Sequence, residues 1–127
     1  MQTSALTHQI IGSAMEVHKL LGPGFIESVY QRALLHELAL RGLSTQTERQ
    51  IEIRYKGELV GKHRLDVIVS NLVVVELKAV SSIGDVHLAQ ALSYLKASRL
   101  QLALILNFGE PSLTWRRVVK SAAFAAN

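Results

Sequence analysis

One stretch constrains this chain more than any other: Leu72-Val73-Val74-Val75-Glu76-Leu77-Lys78-Ala79-Val80. It is rich in β-branched residues and apolar at consecutive positions, so it reads as an interior strand covered by a layer on each face. Charges inside such a run are expensive to bury. Glu76 and Lys78 stand two apart and leave the strand on one face, roughly 6.6 Å apart along it, while Val75, Leu77 and Ala79 face the opposite layer. A strand end rising into solvent carries such a pair equally well, so the pair by itself identifies nothing.

The flanking sequence supplies the layers. Leu6, Ile10, Ala14, Val17 and Leu21 recur at helical spacing over Ala5 to Leu21, and Gly22-Pro23-Gly24 stops that helix. A second helix runs from near Ile26 through Val29, Ala33, Leu34 and Leu38 to Arg41, with Gly42 as its C-terminal cap. Gln50 to Tyr55 alternates apolar with polar as a strand does, Lys56-Gly57 offers a turn, and Leu59 to Val69 is a second strand candidate. Ser70-Asn71 then turns the chain into Leu72 to Val80. Gly84-Asp85 opens a third helix, with Leu88, Leu92 and Leu95 on one face and His87, Gln90, Ala91 and Tyr94 on the other. Leu100 to Phe108 reads as a buried strand and Leu113 to Val119 as a last, more polar one. The order is ααβββαββ, an α/β fold with a mixed sheet of about five strands, flanking helices and one right-handed crossover. Residues 1–127 are expected to form a single domain, with Ala122 to Asn127 fraying.

Composition narrows the chemistry. Hydrophobic residues make up 49% and charged ones 19%, enough apolar material for a core. Cysteine is absent, which excludes disulfides, thiolate metal sites, iron-sulfur clusters and Cys nucleophiles. His8 and Glu16 interrupt the first apolar stretch, unlike a secretory signal, and no run is long enough to span a bilayer, so the expected setting is cytoplasmic and away from membranes. A net charge of +4 permits a polyanionic partner, and Lys62, Arg64, Arg99, Arg116, Arg117 and Lys120 could line a phosphate backbone or be ordinary surface charge. The histidines show no zinc spacing, and His87 could contact a phosphate but is expected to face solvent.

Asp66 makes the strand pair more informative, because it too interrupts an apolar run, on the strand before Glu76. Two carboxylates converging from neighbouring strands repel unless a cation lies between them, and oxygen donors suit Mg²⁺ or Mn²⁺. Convergence depends on register. A strict two-residue turn at Ser70-Asn71 would set Asp66 opposite Val75 and send the two acids to different faces. An odd loop over Ser70-Asn71-Leu72, with Asn71 or its neighbour at positive φ, or else a bulge, would bring Asp66 beside Glu76.

Asp66 followed by Glu76-Leu77-Lys78 and then a helix resembles the core of the PD-(D/E)XK nuclease superfamily. Gly24-Phe25-Ile26-Glu27-Ser28-Val29-Tyr30 is similar to the motif that names the GxxExxY protein family, as are Gln90 with Tyr94-Leu95 and Leu106-Asn107-Phe108. The resemblance runs from about residue 5 to 120, with Leu65 standing where the superfamily name has proline. It implies a restriction-endonuclease-like fold and a metal-dependent nuclease hydrolysing phosphodiester bonds in DNA or RNA. Asp66, Glu76 and the Leu77 carbonyl would hold Mg²⁺ or Mn²⁺, Lys78 would orient or activate the attacking water, Glu27 would assist the metal, and Gln90 would complete the polar wall. Plainer readings stand beside these: Glu27 as a first-turn acid favoured by the helix dipole, Tyr30 as packing beneath the helical hairpin, and Gln90 with Tyr94 satisfying each other. A catalytically inactive module binding nucleic acid, a nucleotide or a protein partner is the alternative function, and a third is a homo-oligomeric interaction protein whose two-sided apolar patterns hide a homodimer interface.

Overall fold

The computed structural model describes residues 3–120, so the expectation for Ala122 to Asn127 lies outside the described residues. Helices α1 (Thr3–Leu21) and α2 (Glu27–Leu40) form the helical hairpin. Gly42, at φ +76°, lets α2 end with Gly42 N–H on the Ala39 carbonyl and Leu43 N–H on the Leu38 carbonyl, both at 3.0 Å. This closure satisfies carbonyls that the helix leaves without partners.

The remaining elements are β1 (Thr45–Gln46), β2 (Gln50–Tyr55), β3 (Glu58–Arg64), β4 (Val67–Val69), β5 (Val73–Lys78), α3 (Asp85–Ser98), β6 (Leu102–Asn107) and β7 (Thr114–Val119). Five strands make one sheet in the order β1-β4-β5-β6-β7, with β5 and β6 parallel and the other neighbours antiparallel, while β2 and β3 pair only with each other. The expected mixed sheet is present, and Leu72 to Val80 supplies its central strand.

Two details differ from the sequence reading. The stretch Leu59 to Val69 is not one strand: β3 ends at Arg64, Leu65 N–H bonds the Arg49 carbonyl at 3.0 Å, and β4 joins the main sheet from Val67. The period-two pattern runs on through that break, so side-chain alternation alone does not reveal it. The edge strand β1 is two residues long, too short to carry a pattern, yet it pairs with Val69 and Ile68.

Alternation across the sheet divides the interior into two cores. Val67, Val69, Val73, Val75 and Leu77 face α1 and α2 with Leu104 and Leu106, whereas Ile68, Val74, Ala103 and Ile105 face α3. Ala91, placed with His87, Gln90 and Tyr94 on the face away from the leucines, is 1% exposed and belongs to the second core. The small side chain at 91 lets the helix lie close to the sheet, which hydrophobicity spacing did not register.

The end of β5 is clamped from β6. Phe108 N–H bonds the Lys78 carbonyl at 2.8 Å, and the buried Asn107 amide bonds both the N–H and the carbonyl of Val80 at 3.0 Å. Gly109 lies so close that a Cβ there would stand 2.4 Å from the Val80 carbonyl oxygen. Gly109→Ala is therefore expected to destabilise the fold by about 2 kcal/mol, as overpacking against rigid backbone does, read as a lower urea midpoint with an unchanged m-value.

Candidate active site

The turn between β4 and β5 sets the geometry. Leu72 N–H bonds the Val69 carbonyl at 3.0 Å around Ser70 and Asn71, whose φ angles are +53° and +55°. Val69 then pairs with Val73, not Leu72, so Leu72 is an extra residue on the β5 side. Of the two anticipated alternatives the first is present: an odd, three-residue loop over Ser70-Asn71-Leu72 with Ser70 and Asn71 at positive φ. Val67 consequently opposes Val75, and the next residues inward, Asp66 and Glu76, share the α3 side of the sheet.

At Asp66 the ladder ends, because the preceding residues leave for the β2–β3 hairpin. Leu77 N–H, which would have found a main-chain acceptor there, donates instead to Asp66 Oδ2 at 3.0 Å. Successive strand residues point their main-chain groups to opposite sides, and Lys78 points its carbonyl to β6. The Leu77 carbonyl therefore faces the gap left by β4. A cavity of about 210 Å³ opens at this gap, lined by Glu27, Ser28, Gln31, Asp66 and Leu77.

Glu76 is 4% exposed, and its Oε1 is buried with no hydrogen-bond partner. Burial first, and the neighbouring Asp66 carboxyl second, push the Glu76 carboxyl up to about 8, against a smaller downward pull from Lys78. The neighbouring Asp66 disfavours ionisation of Glu76, as a like charge does when no cation separates the two. Lys78 is half-buried on the same face and makes no ion pair among the described residues, so its ammonium does not seal the acid. Two carboxylates and a main-chain carbonyl are hard oxygen donors, a set whose chemistry suits Mg²⁺ or Mn²⁺. No three His, Cys, Asp or Glu side chains come together as a cluster among the described residues.

The other sequence candidates fall in different places. Glu27 is exposed in the first turn of α2 and lines the cavity with Asp66. Its entry angle is held by Tyr30, fully buried, whose hydroxyl donates to the Gly22 carbonyl at 2.6 Å and accepts from Phe25 N–H at 3.1 Å, while its ring stacks on Phe108 at 4.5 Å. Gln90 is exposed on α3 and does not line this cavity. Tyr94, one turn later, stacks on His63 with ring centroids 4.2 Å apart, and burial with the nearby Glu76 and Asp66 charges raises its phenol. His87 is half-buried and not solvent-facing: its Nδ1 accepts Gly84 N–H at 3.0 Å and caps α3.

Gln31 and His63 escaped the sequence reading as site residues, and Asn107 entered it only within the block Leu106-Asn107-Phe108. Gln31 lies one turn after Glu27 and donates its amide to the Asp66 main-chain carbonyl at 2.8 Å, which ties α2 to the break. His63 walls the acid pair through Tyr94, and its Nε2 is buried without a partner. Asn107 holds the loop that follows Lys78. Of the two that escaped, Gln31 carried a signal, its helical i+4 spacing from Glu27.

Residues 4–118 match the sequence model of the PD-(D/E)XK nuclease superfamily, and the chain belongs to that superfamily. No curated protein matches it. Among solved structures it is similar in fold to the crystal structure of SSO0001, with a TM-score of 0.57 at 20% identity, over 72% of this chain and 48% of that one. The chain thus spans about half the length of that protein.

The raised Glu76 carboxyl carries a pH signature. A folded-state value near 8 against an ordinary value of 4.5 means the native protein holds this proton more tightly than the unfolded chain. In metal-free buffer the resulting stabilisation is complete below about pH 4.5 and is lost as pH rises through 8, by at most about 1.4 kcal/mol per pH unit. Glu76→Gln is expected to remove most of this slope, raising the melting temperature relative to wild type more at pH 8 than at pH 4.5; parallel curves for the two proteins would contradict the assignment.

Proposed function

From its membership of the PD-(D/E)XK nuclease superfamily, we propose that the protein is a divalent-cation-dependent nuclease hydrolysing phosphodiester bonds in DNA or RNA, within the GxxExxY branch suggested by Gly24, Glu27 and Tyr30. The observation that carries this reading is the register of β4 against β5, which sets Asp66 beside a Glu76 whose inner oxygen has no partner. An orphaned buried carboxylate oxygen costs stability and persists where something else uses it.

In this reading Asp66, Glu76 and the Leu77 carbonyl hold Mg²⁺ or Mn²⁺, with Glu27 assisting from the cavity rim. The cation, when bound, supplies acidification of water and neutralisation of charge on the phosphoryl group. Lys78 projects on the Glu76 face without an ion pair, so its ammonium is available to orient the attacking water and to offset negative charge developing on the phosphate. The Leu77 N–H fixes the Asp66 carboxylate in one orientation. Gln90 belongs to the outer polar wall, reached only by substrate lying along α3. Residues 1–127 act as one nuclease-like unit, in solution as a monomer or as a homodimer able to grip both strands of a duplex. Among the described residues no helix is long and apolar enough to cross a membrane, and a chain without cysteine is indifferent to a reducing cytoplasm.

Plasmid, single-stranded DNA and RNA incubated with Mg²⁺ or Mn²⁺ test the reading. Cleavage is expected to require the cation and to fall by a factor of about 10² or more in Lys78→Ala, with the fold intact by circular dichroism. Asp66→Asn and Glu76→Gln are expected to abolish both cleavage and the rise in melting temperature that Mn²⁺ gives the wild type. Absence of cleavage on every substrate despite cation binding would leave a binding module on a nuclease fold.

A further inference from the structure

The gap at Asp66 does not end at the acid pair. A second cavity, of about 360 Å³, shares Gln31 and Asp66 with the first and extends away between α2 and the base of the β2–β3 hairpin. Leu35 gives it an apolar wall, Gln31 and Thr47 add polar groups, and Arg64 stands at its edge, while Leu65 borders it with its own side chain packed in the second core. The Arg64 side chain is 61% exposed, and its one ion pair among the described residues is with Glu48 at 3.9 Å, itself 83% exposed. Such a contact is worth little and opens readily. A loosely held guanidinium beside a part-apolar hollow of this size, continuous with a site for phosphodiester chemistry, is the arrangement that receives an anionic ligand with a flat, partly apolar body.

We propose that this cavity is a subsite for the nucleotide adjoining the scissile phosphate, with Arg64 binding that nucleotide's phosphate and Leu35 packing against its base. The proposal rests on the nuclease reading and adds to it a substrate requirement. The volume sits at the low end of the roughly 300–1,000 Å³ typical of ligand pockets, room for one nucleotide and not for a base pair. The strand must therefore be unpaired where it enters. Glu48 competes with the phosphate for Arg64 and sets how readily the subsite fills.

The test is binding of short labelled single strands, DNA and RNA, in Ca²⁺ buffer, read by fluorescence anisotropy over a range of salt. Arg64→Ala is expected to weaken binding about tenfold and to flatten the slope of log K against log salt by about 0.7, the loss of one phosphate contact on a single strand. Arg64→Lys should recover the slope and only part of the affinity, since the bidentate fork is gone. Glu48→Ala should tighten binding, an effect that a merely structural Arg64–Glu48 pair would not produce. A blunt duplex of equal length should bind more weakly than the single strand. An unchanged affinity and slope in Arg64→Ala, or a duplex bound as tightly as a single strand, would overturn the subsite. If Lys78→Ala abolishes cleavage while Arg64→Ala binds as wild type, the nuclease reading stands and the subsite falls. If single strands bind through Arg64 but nothing is cleaved, the cavity is a single-strand binding site, and the nuclease reading falls together with the placement beside a scissile phosphate.

Discussion

Everything at the site depends on one surplus residue in a hairpin. Leu72 is inserted between the turn at Ser70-Asn71 and the first paired residue of β5, and it shifts the pairing by one position. In a sheet such a shift exchanges faces, so without it Asp66 would point into the packing of α1 and α2. Positive φ at two consecutive non-glycine residues is an unfavourable local choice. Asn71 tolerates it well, and its side chain is held by Arg49 at 3.1 Å, which anchors the turn to the segment leading into β2. Local backbone cost is thereby exchanged for the approach of two acids.

The break in the sheet at Leu65-Asp66 is the companion feature. A continuous ladder would satisfy Leu77 N–H with main chain and bury its carbonyl in a hydrogen bond. Because the chain departs to the hairpin, a side-chain carboxylate takes the N–H and the carbonyl is left facing a cavity. Acid pair, carbonyl and cavity thus share one cause. Around them the supports come from distant parts of the chain: Gln31 from α2, Asn107 from β6, Tyr94 from α3 and His63 from β3.

How far this was legible in the sequence follows from the kind of pattern each feature leaves. Long periodic segments were plain: the stripe of α1, the apolar run of β5 and the alternation of β2 all read correctly. The acid pair was legible as a conditional, because Asp66 and Glu76 are conspicuous in apolar strands but their meeting depends on φ angles that Ser70 and Asn71 do not dictate. The break after Arg64 left no trace, since Leu65, Val67 and Val69 maintain strand alternation across it. Contacts such as Tyr94 on His63, or Asn107 on Val80, join residues tens of positions apart and exist only once the sheet order is known. Gln90 shows the reverse case, a residue conspicuous by resemblance that the fold leaves on the outside.

The β2–β3 hairpin is hydrogen-bonded as a sheet of its own and touches the second core mainly through Ile51. The floor carrying the acids and the wall carrying His63 therefore belong to separately built platforms. Insertions or deletions at the Lys56-Gly57 tip can change the reach of this arm without disturbing carboxylate spacing. Selection or engineering can thus reshape what gains entry while the reacting centre stays as it is.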